Sequence, residues 1–230
     1  MKRQGLLALA LSMILVLSAC GASSSNSPSS NDTNNDKPNA TTPDSSIPTK
    51  NIPTSGDSVT DDFLKTITAE TAEAKGVCGA DLTWYFQDGV LVIKGTGEMT
   101  DYTSDNKSPW HELEIGWVII QEGVTSIGNK AFKDCYILSK IEMPETLEKI
   151  GNEAFWRCPE LVSITLPASL SYIGGNAFIH DEKLLSITFI GNAPELEPNT
   201  QIFMSPTIYY SGSGFDELIE KYPNINWVKQ

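Results

Sequence analysis

One phrase recurs three times at an unvarying interval. Ile127-Gly-Asn-Lys-Ala-Phe132, Ile150-Gly-Asn-Glu-Ala-Phe155 and Ile173-Gly-Gly-Asn-Ala-Phe178 start 23 residues apart. Leu138, Leu161 and Leu184 keep the same interval, as do Ile141, Ile164 and Ile187. A fixed period in the twenties marks a solenoid, in which one coil cannot bury its apolar side alone and only the stack is stable. Such a chain offers an extended surface rather than a deep pocket, which points to binding rather than catalysis.

Each period holds two kinds of segment. In Leu161-Val-Ser-Ile164-Thr-Leu166-Pro167, Leu161, Ile164 and Leu166 face inward while Ser163 and Thr165 face out, and Pro167 ends the strand. In the second segment Leu170, Ile173, Ala177 and Phe178 fill the core, and Gly174 is expected to turn the chain. A degenerate coil carrying Ile115, Val118, Ile120 and Val124 leads the array. Upstream, Leu82–Phe86, Asp88-Gly89 and Leu91–Ile93 spell a hairpin with a primed turn, whose Trp84, Phe86, Leu91 and Ile93 can cover the first coil. Downstream, Thr207–Tyr210, a short helix from Phe215 to Lys221, and Ile225–Trp227 can close the last.

The pattern Leu-x-x-Ile-x-Leu/Met-Pro followed by Leu-x-x-Ile-Gly-x-x-Ala-Phe-x-x-Cys resembles the BspA-like leucine-rich repeats of bacterial surface proteins. The segment from Cys78 to Trp84, with Gly95-Thr-Gly97, Met99, Tyr102 and Ser108-Pro-Trp110, is similar to what often precedes them in gut and soil Firmicutes. The resemblance covers about residues 76 to 227. It implies a β-rich leucine-rich-repeat solenoid, display at the cell surface, adhesive or ligand-binding roles, and no shared active site. The third repeat departs from the pattern: Asp181 stands where the first two have Cys135 and Cys158, as expected of an edge coil.

The ends carry a different message. Lys2 and Arg3, an apolar run from Leu6 to Leu17 and then Ser18-Ala19-Cys20 form a secretory signal. Leu17-Ser-Ala-Cys20 resembles the lipobox of bacterial lipoproteins, which implies cleavage before Cys20 and lipid on that residue. From Gly21 to Ser58 the chain is rich in Ser, Thr, Asn, Asp and Pro and has no aromatic residue, too little apolar surface to offset the entropy of ordering. The expected organisation is a signal peptide over 1–19, a lipidated disordered tether over 20–58 and an N-terminal hairpin cap over 59–113. The repeat array follows over 114–190, and a small C-terminal α/β cap over 191–230. The formal charge of −13 argues against nucleic acid as a partner and leaves membrane attachment to lipid.

The remaining cysteines allow two readings. Cys135 and Cys158, one period apart, sit at about the 4.8 Å strand spacing, close enough for a disulfide; equally they are small buried hydrophobes, and the latter reading is preferred. Cys78 belongs under the cap. The histidines are His111 and His180. His180 aligns with Arg157 one coil back and so faces solvent while Cys158 faces in, which separates the pair. No zinc, phosphate-loop or calcium-loop spacing occurs, and Asp181, Glu182, Glu195 and Glu197 read as a solvated acidic surface. No catalytic residue, metal or cofactor is expected.

The candidate ligand-binding residues are the outward strand positions Trp117, Ile119, Lys140, Glu142, Ser163, Thr165, Ser186 and Thr188. Trp117 is either an exposed anchor for a sugar ring or a protein or a core residue under the hairpin. Trp156 joins the candidates, forming with Ile179 a small exposed apolar patch. The expected function is non-catalytic binding or adhesion at the cell surface, to an extracellular protein or glycan of host or neighbouring cells. A structural or accessory role, presenting polysaccharide to other envelope proteins, is the alternative.

Overall fold

The computed structural model describes residues 61–198 and 201–230. The signal peptide, Cys20 and the tether lie outside these residues.

The described chain opens with α1 (Asp61–Thr66) and an edge strand, β1 (Ala74–Val77), antiparallel to β2 (Asp81–Gln87). β2 returns through Asp88-Gly89 into β3 (Val90–Glu98). Both turn residues hold positive φ, 49° and 77°, which a primed two-residue hairpin requires. The second strand is more than a lid. Its Val90–Ile93 half pairs in parallel with β4 (Trp117–Ile120), and its Gly97-Glu98 end pairs with β5 (Val124–Ile127). β3 therefore bends and supplies both sides of a coil by itself.

Each later coil adds one strand to each of two parallel ladders. The pairs are β6 (Lys140–Glu142) and β7 (Lys149–Ile150), β8 (Ser163–Leu166) and β9 (Tyr172–Ile173), then β10 (Ser186–Phe189) and β11 (Glu195–Leu196). The even-numbered strands stack at the front and the odd-numbered strands from β5 to β11 at the rear. Register is strict: Leu91, Val118 and Ile141 align on one part of the front ladder, and Ile164, Ile187 and Ile208 on the other. At the rear Ile127, Ile150, Ile173 and Leu196 do the same.

The third side of each coil is a ring stack. Trp110, Phe132, Phe155, Phe178 and Phe203 follow one another at centroid separations of 5.6, 5.4, 5.4 and 6.1 Å, with interplanar angles of at most 23°. All five are buried, and each contributes roughly 1.5–3 kcal/mol through the apolar area it removes from water. Trp110 and Phe203 lie outside the three clear repeats, so the stack extends into both segments expected to be caps. β12 (Thr207–Tyr210) likewise continues the front ladder in parallel with β10, and only α2 (Asp216–Lys221) and β13 (Asn226–Lys229) close the stack beyond it.

The glycine of the recurring phrase does not turn the chain as expected. A Cβ on Gly151 would lie 2.6 Å from the Asn129 nitrogen, and one on Gly174 would lie 2.5 Å from the Asn152 nitrogen. These positions are glycine because consecutive coils touch there. The turning falls two residues later, to Lys130, Glu153 and Asn176, whose φ values are 55°, 54° and 58°. The asparagine next to the glycine ties coils together. Asn129 Oδ1 accepts from the Asn152 N–H at 2.6 Å, and Asn152 Oδ1 accepts from the Gly175 N–H at 2.5 Å. Asp101 begins this ladder by accepting from the Asn129 N–H at 2.7 Å.

Candidate functional site

Because side chains alternate along a strand, placing the isoleucine ladder inward sends two residues per front strand outward. On β8, β10 and β12 these form two registered columns, Ser163–Ser186–Thr207 and Thr165–Thr188–Tyr209. Ser163 and Thr165 are exposed, while Ser186, Thr188, Thr207 and Tyr209 are half-buried. The face is open, flat and rich in hydroxyls. Its edges are apolar: Val162, Leu185 and Ile190 are 44, 68 and 47% exposed. Leu185 stacks directly on Val162, its N–H donating to the Val162 carbonyl at 2.9 Å. This aliphatic rim escaped the sequence reading, although two apolar residues at an outward-facing position one period apart are a signal.

Lys140 and Glu142 belong to the neighbouring strand β6, which lies beside β8 without pairing to it. At that seam runs a shallow groove of about 450 Å³ lined by Lys140, Glu142, Ser163 and Thr165 among others, so four of the expected residues share one depression. Lys140 is committed within it. Its Nζ lies 2.9 Å from Glu142 Oε1 and 3.7 Å from the centroid of the Trp117 ring.

Trp117 and Ile119 are not part of an accessible surface. Trp117 is 1% exposed. Both pack in a second apolar cluster with Val90, Val92 and Ile67, flanked by Leu64 and Tyr85. The outward faces of β3 and β4 are covered by Leu64 of α1 and by Ile67 just after it, while the hairpin lies beside β4 within the same sheet. The open alternative for Trp117 is thereby decided as core.

The Trp156 patch is also different from the expectation. Ile179 is buried. Trp156, half-buried, has Lys133 Nζ 4.2 Å and Arg157 Cζ 4.5 Å from its ring centroid, and His180 edge-on at 5.2 Å. It is a tryptophan clothed in cations rather than half of an apolar patch.

Cys78, Cys135 and Cys158 are buried free thiols. Burial pushes Cys78 and Cys135 up to about 12 and raises Cys158 too, the reverse of what activates a nucleophile. His111 and Cys135 line one cleft, but that thiol stays protonated. Asp181 corrects the acidic-surface expectation. It is 3% exposed, and burial raises its carboxyl to about 8. Its Oδ1 accepts from the Cys158 N–H at 2.7 Å while Oδ2, also buried, has no partner. Among the described residues, no group of three or more His, Cys, Asp and Glu is placed to hold a metal ion. No helix among them is long and apolar enough to cross a membrane.

Stacked coils, parallel ladders front and rear and a buried ring stack define a leucine-rich-repeat solenoid. Residues 107–205 match the BspA type leucine rich repeat region in six copies, so the repeats over those residues are of that type. Solved structures to which the chain is similar include a leucine-rich repeat protein from Eubacterium ventriosum. It is 22% identical, with 60% of this chain and 44% of that one covered at a TM-score of 0.42; this chain thus spans less than half the length of that relative. A leucine-rich repeat protein of T. pallidum is 18% identical over 71% of this chain and 97% of its own, at a TM-score of 0.33. The pneumococcal vaccine antigen PcpA is 17% identical over 64 and 46%, also at 0.33. No curated protein matches. Folds of this class are typically non-catalytic.

Proposed function

We propose that this chain is a non-catalytic cell-surface protein, held at a bacterial membrane by lipid on Cys20, whose front face binds an extracellular protein. The observation that carries the reading is the open face of β8, β10 and β12: hydroxyls at the centre, and Val162, Leu185 and Ile190 exposed at its edges. Exposed apolar side chains flanked by hydrogen-bonding groups suit a protein partner. A glycan reading loses Trp117 as its stacking platform, because that ring is buried.

Magnitude shapes the proposal. Three strands at about 4.8 Å spacing make a face of roughly 15 Å by 10 Å, against the ~800 Å² a partner contributes to a standard interface. Binding through this face is individually weak and gains strength from many tethered copies acting together. The test is an extracellular-matrix protein array probed with the chain displayed on beads. A selective signal that disappears in the Val162→Asp/Leu185→Asp double variant, with an unchanged melting temperature, supports the reading. A signal that survives the double variant, or its absence with well-folded protein, overturns it.

A further inference from the structure

A cleft of about 520 Å³ separates the loop preceding β4 from the coil that follows β5, built from residues other than those of the front face. Its volume lies within the range of small-molecule sites. Lys107, Lys130 and Lys133 line it, with Glu112, Glu114 and Asp134 as the acids of the lining and His111 beside Glu112. Thr103, Ser104 and Tyr136 add hydroxyls, and Leu113, Ile115 and Ile137 add apolar surface.

The balance of charge at Lys130 and Lys133 is what points to a ligand. Both side chains are only 24% exposed, and both turn to one carboxylate, that of Glu153, at 3.9 and 2.5 Å. Ser104 Oγ, 3.4 Å from Lys130 Nζ, is a neutral partner. The acids of the lining have partners of their own: Asp134 has Arg157 at 3.3 Å and the Tyr136 hydroxyl at 3.1 Å, and Glu112 has His111 at 2.6 Å. Glu114 lies on the lining and is exposed to solvent. Two half-buried ammonium groups thus share one carboxylate, with Lys133 resting also on the Trp156 ring, and a second anion arriving between them would add charge-assisted hydrogen bonds. Lys107, exposed at the mouth, adds attraction at longer range.

We propose that this cleft binds a small oxyanion-bearing molecule of sugar size, its carboxylate or phosphate held by Lys130 and Lys133 with Lys107 at the entrance. Its polar body meets Thr103, Ser104 and Tyr136, and its apolar side meets Leu113 and Ile115. The proposal is independent of front-face binding.

The test is titration calorimetry of the full chain with glucuronate, glucose 1-phosphate and glucose, at low and high salt. Binding of either acid-bearing sugar, weakened by salt and absent for glucose, is expected, and the one that binds identifies the oxyanion. Lys130→Asn, which keeps a residue tolerant of the positive φ there, weakens it at least tenfold. Lys107→Gln, at the exposed rim, weakens it about threefold without disturbing the fold, and Lys183→Gln leaves it unchanged. Equal binding of all three sugars, binding of none, or full affinity in both the Lys107 and Lys130 variants overturns the proposal.

Discussion

The two ends of the front ladder share a backbone and differ in everything that faces outward. On β3 and β4 the outward residues are Val90, Val92, Trp117 and Ile119, all buried beneath Leu64 and Ile67. On β8 and β10 they are Ser163, Thr165, Ser186 and Thr188, open or half-open to solvent. β6 stands between, with Lys140 reaching one way to the Trp117 ring and along its own strand to Glu142. The lesson is that a solenoid's front is not one surface. A short segment outside the repeats turns one end into core and leaves the other as the region available to a partner.

The largest effect separating the two ends belongs to Trp117. Trp117→Ala removes a fully buried ring and is expected to cost about 3–5 kcal/mol, measured by denaturant titration. A loss of less than one would mean that the α1 segment leaves this face open in solution, and the contrast between the ends would collapse.

A smaller effect concerns the interior of the open end, where Asp181 occupies the slot that Cys135 and Cys158 fill in preceding coils. Its carboxyl is raised by burial to about 8, above the ~3.9 of an unfolded chain. The folded state therefore holds the proton more tightly, and the stability this group contributes is fully present below about pH 4 and lost as the pH rises through about 8. Asp181→Asn keeps the acceptor for the Cys158 N–H and cannot ionise. Its advantage over the natural chain should grow between pH 5 and pH 8 by a few kcal/mol, with a ceiling near 1.4 kcal/mol per pH unit. Parallel denaturation curves for the two proteins across that range would show that Asp181 does not titrate in the fold.

The smallest effect is expected on the open face itself. Ser186→Ala and Thr188→Ala should each change stability by no more than about 0.5 kcal/mol, because neither side chain joins the core. A loss above 1 kcal/mol in thermal melting would show that the hydroxyl columns hold the coils together, and would weaken the case for them as contact surface.

Much of this was legible in the chain before its structure. The 23-residue interval placed Phe132, Phe155 and Phe178 in one stack and put Ser163, Thr165, Ser186 and Thr188 outward, because both statements follow from a period and from strand alternation. Asp88-Gly89 announced its turn for an equally local reason. The ends of the ring stack were hidden: Trp110 is a different residue type 22 positions before Phe132, and Phe203 comes 25 after Phe178, so neither keeps the interval. Asp181 looked like a surface acid because its burial comes from the coils around it.

The sequence by itself determined the coil: which leucines, isoleucines and phenylalanines of the repeat point inward and which strand hydroxyls point out. These depend on spacing and side-chain size, which repeat. Only the tertiary structure decided which part of the coil surface is free. Ile67 packs with Trp117, and the 103–115 loop brings Lys107 to the same cleft as Lys130 and Lys133, arrangements of segments far apart in the chain that no periodicity encodes.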